Sequence, residues 1–306
     1  MAAMRTTLTT GIPSPPLEWS AIHLGPLTIH VYALCLLAGM AAAVVITQRR
    51  LSPRGGPDGV VIDIAIWAIP LGLVGARIYH VLTHPDDYFY AGADLWDVVR
   101  IWDGGNALYG SLIGGAVGAW IGCRRAGIRL ASFADALAPG LLVAQAVGRL
   151  GNYVNQELFG RPTTLPWGLE IDANAPMFPD DTPAGTVFHP LFLYEMVWNV
   201  AGAMVLLALD RRFGLRWGRL FGLYLVWYGL GRSWLELIRI DPTSGSWLGI
   251  PANLWTSVLV ITLGLVIFLV QGRRHPEPEG SVHLPGREPV PGPERSDDAE
   301  APATDS

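Results

Sequence analysis

Seven mostly apolar stretches alternate with short polar segments along the chain. Each is about as long as the roughly 17–25 residues that an α-helix needs to cross the hydrocarbon core of a bilayer. Long continuous apolar runs favour helices over half-buried strands, which would alternate every second residue. The pattern therefore predicts an all-α polytopic membrane protein with seven transmembrane helices, at residues 28–48, 60–82, 107–123, 131–150, 190–209, 218–236 and 253–271.

The third and fourth stretches are rich in glycine and alanine, residues that let helices approach each other closely in lipid. Pro139 and Gly140 lie in the middle of the fourth, where a proline works against a continuous helix.

The cations predict how the helices are oriented. All 21 basic residues are arginines, and twelve of them follow the first, third, fifth and seventh stretches. The segments between, residues 83–106 and 160–188, are acidic instead. Because positive residues stay on the cytoplasmic side, the N-terminus is predicted outside and the C-terminus in the cytoplasm, in agreement with an odd number of spans.

The two ends of the chain differ from the apolar part. Residues 1–27 lack the apolar core of a signal peptide and are predicted to form an extracytoplasmic N-terminal segment. Residues 28–272 form the seven-helix membrane domain. Residues 273–306 are rich in proline and acidic residues, which predicts a disordered cytoplasmic tail with no catalytic role.

Composition excludes several classes of protein. With 51% apolar and 15% charged residues, and a pI near 5.8, the chain is not expected to bind nucleic acid. The two cysteines, Cys35 and Cys123, lie in apolar runs and are predicted to be free thiols. No histidines or acids have the spacing of metal ligands, so neither a metal nor another cofactor is expected.

Polar residues within the membrane mark a candidate site, because a charge at mid-bilayer costs about 2.5–3.5 kcal/mol. The densest group is the run GRLGNYVNQE at residues 148–157, continued by Gly160. On a helix, Arg149, Asn152 and Gln156 share one face, with Asn155 nearby. A guanidinium with carboxamides suits a phosphate or carboxylate. The alternative is a structural contact between helices, with Arg149 paired to Asp135 or Glu195.

A second group lies in the sixth stretch, where Arg232, Glu236 and Arg239 have the i, i+4, i+7 spacing of one helix face. This spacing predicts either an anion-binding site or a row of ion pairs in which the two arginines share the glutamate and need no other partner. Arg77 lies within the second stretch, so three arginines on three helices can converge on one site.

Other candidates lie near the outer ends of the predicted helices. Tyr109 follows a pair of glycines, and Tyr32 opens the first stretch. His189 and Glu195 begin the fifth stretch, and together with Asp135 of the fourth stretch they are possible supporting groups of the site. Each has a structural alternative, such as an interfacial aromatic belt for Tyr109 or contacts with neighbouring groups for His189.

Together these runs resemble one family, the bacterial phosphatidylglycerol–prolipoprotein diacylglyceryl transferases. The run at residues 148–157 is similar to the family signature. Weaker similarities follow the family's order from about residue 17 to 272, namely IHVY at 29–32, GARI at 75–78, WDGG at 102–105, HP with LYE at 189–195, and Tyr228-Gly229 with Arg232 and Glu236.

The resemblance implies a multi-pass enzyme of the bacterial inner membrane that acts in lipoprotein biosynthesis. In the implied reaction, the lipobox cysteine thiol of a preprolipoprotein signal peptide attacks phosphatidylglycerol. A diacylglyceryl thioether forms and glycerol 1-phosphate leaves. No cofactor is implied, and a monomer is sufficient. When the family's residues are carried over by position, its two essential arginines correspond to Arg149 and Arg232. The implied substrate contacts are Tyr32, Asn152, Glu157 and Gly160, with Glu236 and Arg239 in support.

One position departs from the family. Many members have His-Gly-Gly where this chain has Tyr109-Gly110-Ser111. A phenol with a pKa near 10 is a poor general base. Either Tyr109 only forms a hydrogen bond to the lipid headgroup, or the thiol is activated in another way.

Three other functions also place polar residues in a membrane. A different phospholipid-headgroup enzyme usually has Asp-rich metal motifs or an accessible Ser–His pair, and neither is evident in the sequence. An anion or lipid transporter would use intramembrane arginines, but the internal repeats that mark many transporters are not evident. A retinal-binding receptor requires a lysine, and the chain has none.

Overall fold

The computed structural model describes residues 11–25, 27–105, 107–240, 246–247 and 249–288. A short antiparallel pair precedes the long helices, with β1 (Ala21–Leu24) paired to β2 (Leu27–His30) so that Ala21 opposes His30. The pairs β3–β4 (Leu169–Glu170, Val187–Phe188) and β5–β6 (Ser246–Trp247, Ile250–Pro251) are two residues long per strand. The long helices are α1 (Val31–Leu51), α2 (Val60–Thr83), α3 (Leu108–Ala126), α4 (Leu130–Val154), α5 (Leu191–Phe213), α6 (Arg219–Ile238) and α7 (Ala252–Arg274).

Each of the seven apolar stretches coincides with one of these helices. Among the described residues, five helices are long and apolar enough to cross a membrane, namely α1, α2, α4, α5 and α7. The many glycines of α3 and the polar side chains of α6 make these two less apolar. The protein is therefore a mostly helical, multi-pass membrane protein.

Three pairs of helices pack along their lengths, α1 with α4, α2 with α3, and α6 with α7. Glycines bring the backbones together, as predicted for the third and fourth stretches. A Cβ atom on Gly110 of α3 would lie 2.1 Å from the carbonyl oxygen of Gly75 in α2. A Cβ atom on Gly39 of α1 would lie 2.9 Å from the carbonyl oxygen of Ala144 in α4. Such contacts exclude any larger residue.

The outward faces of the helices carry large apolar side chains. Ile66, Leu112 and Leu259 are each more than 60% exposed, whereas Ile64 and Leu142 are fully buried. An exposed apolar surface on this scale is typical of helices surrounded by lipid rather than water.

The end of the bundle where α1, α3, α5 and α7 finish is called the arginine-rich end here. At its centre Asp210 of α5 accepts hydrogen bonds from Arg50 at 3.0 Å, from Arg54 at 3.1 Å, and from Arg216. These arginines come from α1 and from the segments that follow α1 and α5. One carboxylate thus joins three parts of the chain.

Asp135 also lies near this end, fully buried in α4. Its two carboxylate oxygens accept hydrogen bonds from the backbone N–H groups of Gly218 (2.7 Å) and Phe221 (2.9 Å). It therefore caps the N-terminus of α6, whose first N–H groups have no partner within the helix. Asp135 is 14 residues from Arg149 along α4, about 21 Å. The predicted supporting role at the site and the predicted pairing with Arg149 are both wrong for Asp135.

Helix α4 continues through Pro139 without a break. Because proline has no N–H, the carbonyl group of Asp135 loses its partner within the helix. The guanidinium of Arg50 donates a hydrogen bond to this oxygen at 3.3 Å, and another to the carbonyl oxygen of Ala136 at 3.1 Å. An arginine of α1 thus compensates for the proline in α4.

The segment after α7 corrects the prediction of disorder from residue 273 onward, because residues 275–288 pack on the arginine-rich end. Val282 and His283 are buried, and Val282 joins an apolar cluster that includes Leu51 and Phe133. The carbonyl oxygen of Val282 accepts a hydrogen bond from the N–H of Arg129 at 2.8 Å. Composition did not reveal that this segment packs on the bundle, because among residues 275–288 only the two adjacent residues Val282 and His283 are buried. Residues 289–306 of the predicted tail, and residues 1–10 of the predicted N-terminal segment, lie outside the described residues.

Candidate active site

A cavity of about 360 Å³ lies at the other end of the bundle, called the site end here. It is enclosed mainly by α1, α4, α5 and α6. Five predicted site residues line it, from four different helices: Tyr32, Arg149, Asn152, Glu195 and Arg232. The structure therefore brings together residues up to 200 positions apart in the sequence.

Arg149 is held by a chain of contacts. Its Nη2 forms an ion pair with Oε2 of Glu195 across the α4–α5 contact. Its Nη1 donates a hydrogen bond to Oδ1 of Asn152 at 2.9 Å, and Nδ2 of Asn152 donates to Oε1 of Glu157 at 2.8 Å. Asn155, the C-cap of α4, also contacts this Glu157 oxygen, at 3.4 Å. These contacts use two of the five guanidinium N–H groups and fix the plane of the group.

Arg232 is held in the same way on α6. Its Nη2 lies 3.0 Å from Oε2 of Glu236, one helical turn further along. Glu236 is itself buried, and its Oε1 accepts a hydrogen bond from Asn253 of α7 at 2.9 Å. A guanidinium fixed by a buried carboxylate loses less side-chain entropy when it binds an anion.

Tyr32 reaches the cavity because α1 lies close to α4. A Cβ atom on Gly151 would lie only 2.6 Å from Cδ2 of the Tyr32 ring. The glycine of the signature run thus makes room for the aromatic ring next to Asn152.

The structure corrects the position of Gln156. Helix α4 ends at Val154, and Gln156 has a φ of 53°. Its buried side chain turns away from Arg149, donating to the carbonyl oxygen of Pro15 at 2.8 Å and accepting from the N–H of Asp172 at 2.7 Å. The predicted shared face of Arg149, Asn152 and Gln156 therefore holds only for the first two.

Arg77 does not line the cavity as the described residues define it. Its buried guanidinium donates to the carbonyl oxygens of Val98 (2.9 Å), Gly104 (2.7 Å) and Asp97, and lies 4.9 Å from the ring centre of Tyr88. Arg77 therefore fixes the segment between α2 and α3. Of the three arginines that were predicted to share one site, only Arg149 and Arg232 line the cavity formed by the described residues.

Gly160, His189 and Arg239 form a junction beside the cavity. The N–H of Gly160 donates to the carbonyl oxygen of His189 at 2.9 Å, and Gly160 forms a β-bridge with Arg239. A Cβ atom on Gly160 would lie 2.4 Å from Cδ1 of Leu191. Nδ1 of His189 lies 3.2 Å from the Tyr194 hydroxyl. The junction ties the end of α6 to the start of α5.

Tyr109 lies at the start of α3 and is 42% exposed. Its hydroxyl is 3.3 Å from Oγ1 of Thr256 in α7. Its neighbour Leu108, rather than Tyr109 itself, belongs to the lining of the cavity.

Four polar or aromatic residues that line the cavity were not predicted as site residues, namely Gln145, Trp198, Asn199 and Tyr228. Gln145 lies one turn before Arg149 on the same face of α4, and its Nε2 donates to the Tyr224 hydroxyl at 3.0 Å. Extending the helix face by one turn would have found it. Trp198 gives no such signal, because tryptophan in an apolar helix usually faces lipid or packs against a neighbour.

A second, apolar cavity of about 590 Å³ adjoins the first. The two cavities share Met40 and Leu141. Small and apolar side chains from six helices dominate the second one, for example Ala65, Ala116 and Phe133. The first cavity, called the polar cavity here because two arginines line it, thus lies next to an apolar one. This combination suits an amphiphile with an anionic headgroup.

Comparisons with known proteins identify relatives over most of the chain. The sequence model of the family "Prolipoprotein diacylglyceryl transferase" matches residues 20–270. A phosphatidylglycerol–prolipoprotein diacylglyceryl transferase of Leifsonia xyli subsp. xyli is 57% identical over 285 residues, covering 90% of this chain and 85% of the relative. One from Frankia alni is 49% identical over 270 residues, covering 88% and 70%. The second such enzyme of Streptomyces coelicolor is 47% identical over 279 residues, covering 90% and 85%.

Proposed function

The chain belongs to the prolipoprotein diacylglyceryl transferase family, and we propose that its polar cavity is where a diacylglyceryl group passes from phosphatidylglycerol to a cysteine thiol. The chain is a transferase of lipoprotein biosynthesis, as its relatives are named. The family match and the names of the relatives support the transferase function rather than an anion or lipid transporter.

The proposed reaction forms one bond and breaks one. The sulfur of a lipobox cysteine, in the signal peptide of a preprolipoprotein, attacks the glyceryl carbon that is bonded to the phosphate. A carbon–sulfur bond forms, the carbon–oxygen bond breaks, and the electron pair stays on the oxygen of glycerol 1-phosphate. The thiol proton is released. The proposed reaction requires no metal, ATP or covalent enzyme intermediate.

Arg149 and Arg232 carry the proposal. Both line one cavity from different helices, and each is oriented by its own carboxylate, Glu195 or Glu236. The phosphate monoester that departs is a poor leaving group unless its growing negative charge is neutralised. Two fixed guanidinium groups in a site of low dielectric supply that neutralisation without reorganising. A nearby guanidinium also favours the thiolate form of the attacking cysteine, whose free pKa is about 8.5.

The other predicted residues take supporting roles in the proposal. Tyr32 and Asn152 contact the headgroup in the cavity, while Asn155 and Glu157 hold Asn152 in place. Arg77 holds the segment between α2 and α3, while Gly160, Arg239 and His189 form the junction beside the cavity. Tyr109 forms a hydrogen bond to the headgroup from the edge of the cavity.

The adjoining apolar cavity accommodates acyl chains in this proposal. Its lining of alanine, leucine and isoleucine side chains matches hydrocarbon, and it continues from the polar cavity at Met40 and Leu141. The phosphate thus stays beside the arginines while the acyl chains stay in an apolar environment.

We further propose that all seven long helices span the bacterial inner membrane, with the site end facing outward and the arginine-rich end in the cytoplasm. The positive-inside rule supports this orientation, because arginines gather at one end of the bundle. The two cavities lie within one chain, so a monomer is sufficient.

A transfer assay tests the function. Purified protein is mixed with labelled phosphatidylglycerol and a lipobox peptide that carries either cysteine or serine. We expect label on the cysteine peptide only, with an equal amount of glycerol phosphate released. Movement of lipid or anion across a proteoliposome membrane with no labelled peptide would contradict the proposal and favour the transporter.

A further inference from the structure

Two tryptophans join α5 and α6 through a reciprocal contact. The indole Nε1 of Trp198 on α5 donates a hydrogen bond to the carbonyl oxygen of Trp227 on α6 at 3.2 Å. The indole Nε1 of Trp227 donates to the carbonyl oxygen of Trp198 at 3.1 Å. The two rings stack with their centres 4.5 Å apart. Each helix thus supplies one donor and one acceptor to the same pair.

Two glycines complete the contact. A Cβ atom on Gly231 of α6 would lie 2.2 Å from Nε1 of Trp198, and a Cβ atom on Gly202 of α5 would lie 2.2 Å from Nε1 of Trp227. Each indole therefore occupies a notch that only glycine leaves open. Sliding one helix along the other would break both hydrogen bonds and press side chains against both rings, so the pair fixes the register of α5 against α6.

The register matters because both arginines depend on it. Glu195, which holds Arg149, lies one turn before Trp198 on α5. Arg232 directly follows Gly231, the residue under the Trp198 ring. A shift of one residue along a helix moves a side chain by about 1.5 Å. A displacement of about 1 Å at a reacting group can lower a rate by about 100-fold.

We propose that Trp198 and Trp227 are positioning residues, which set the distance between the Arg149 and Arg232 guanidinium groups through the register of α5 and α6. This inference rests on the proposed role of the two arginines. Trp227 does not belong to the cavity lining formed by the described residues, so it acts only through the contact with Trp198.

The chain offers a matched control. Trp234 lies on α6 with its ring centre 5.9 Å from that of Trp198, and its buried Nε1 has no hydrogen-bond partner among the described residues. Trp234→Phe therefore removes the same atoms as Trp227→Phe, but it removes no hydrogen bond between the helices.

The test measures kcat and the apparent KM for phosphatidylglycerol per folded molecule. For Trp227→Phe we expect kcat to fall roughly tenfold with KM changed less than about twofold, because either arginine alone still binds the ground-state phosphate. Trp234→Phe should keep the kcat of the unchanged protein. A merely structural role for Trp227 would lower the melting temperature and leave kcat per folded molecule unchanged, and that result would overturn the inference.

A second variant keeps the inference testable from the other side of the contact. Gly202→Ala places a methyl group against Trp227 and should lower kcat as Trp227→Phe does. The double variant, Gly202→Ala with Trp227→Phe, should have a kcat no lower than that of the slower single variant, because both changes break the same contact. Fully additive losses would contradict the shared mechanism. If Arg149→Lys retained activity, the proposed role of this arginine in the active site would be wrong, whatever the tryptophan variants showed.

Discussion

The two ends of the helix bundle use the same chemical groups in different proportions. At the arginine-rich end, Asp210 is shared by Arg50, Arg54 and Arg216, and its side chain is 9% exposed. At the site end, Arg149 and Arg232 each pair with a separate glutamate, and both arginines line the cavity. The first arrangement surrounds an anion that belongs to the protein. The second leaves guanidinium N–H groups beside a cavity.

This difference separates structural arginines from arginines that can bind a substrate. Where one carboxylate joins several arginines, removing it leaves several positive charges together, and the cost falls on stability. Where each arginine is oriented by its own carboxylate beside a cavity, the remaining donors are available to a phosphate. The following variants test the comparison, in order of decreasing effect.

The largest effect is expected for Arg149→Lys and Arg232→Lys. A lysine keeps the charge but lacks the planar fork that can donate two parallel hydrogen bonds to phosphate. We expect transfer to fall by about 10²–10³-fold or more, with little change in melting temperature. Single-turnover transfer of labelled phosphatidylglycerol measures this.

The matched control is Arg216→Lys, which changes an arginine paired with Asp210 at the other end of the bundle. It should keep the transfer rate per folded molecule. An equal loss of rate in this control, or near-normal transfer by Arg149→Lys, would remove the distinction between the two ends.

The second variant is Asp210→Asn, which leaves three guanidinium groups around a neutral amide. We expect the free energy of unfolding to fall by about 3 kcal/mol, because breaking a buried ion pair leaves uncompensated charge. Thermal unfolding in detergent micelles measures the change. The rate per folded protein should stay constant, whereas Glu195→Gln should lower the rate and affect stability less. An unchanged melting temperature for Asp210→Asn would show that these arginines are not held by Asp210.

The smallest effect is expected for Val282→Ala, in the segment that follows α7. Val282 is 1% exposed in an apolar cluster at the arginine-rich end, so losing two buried carbon groups should cost about 2 kcal/mol of stability. Val270→Ala, at a 37% exposed position of α7, is the control and should cost less. Equal melting temperatures for the two variants would indicate that residues 275–288 do not stabilise the bundle.

The sequence predicted the helices well because a membrane span needs a long apolar run, and such a run is visible without any knowledge of contacts. It also selected Arg149, Asn152, Glu195 and Arg232, because ionisable and amide groups in such runs are costly and therefore rare. It placed Asp135, Arg77 and Gln156 wrongly for one reason. Whether a buried polar group caps a helix, holds a loop or faces a cavity depends on which backbone groups lie opposite, and sequence spacing does not reveal these.

A bundle of apolar helices with one arginine-rich end, the lack of lysine and the resemblance to one family of transferases can all be read from the order of residues along the chain. The contacts between helices show, for the described residues, that two of the three intramembrane arginines share a cavity, and that Trp198 and Trp227 form a reciprocal contact between α5 and α6. The two kinds of feature differ because they depend on residues at different separations along the chain. Hydrophobic length and charge act locally along the chain, whereas a hydrogen bond between helices needs two atoms about 3 Å apart from distant parts of the sequence.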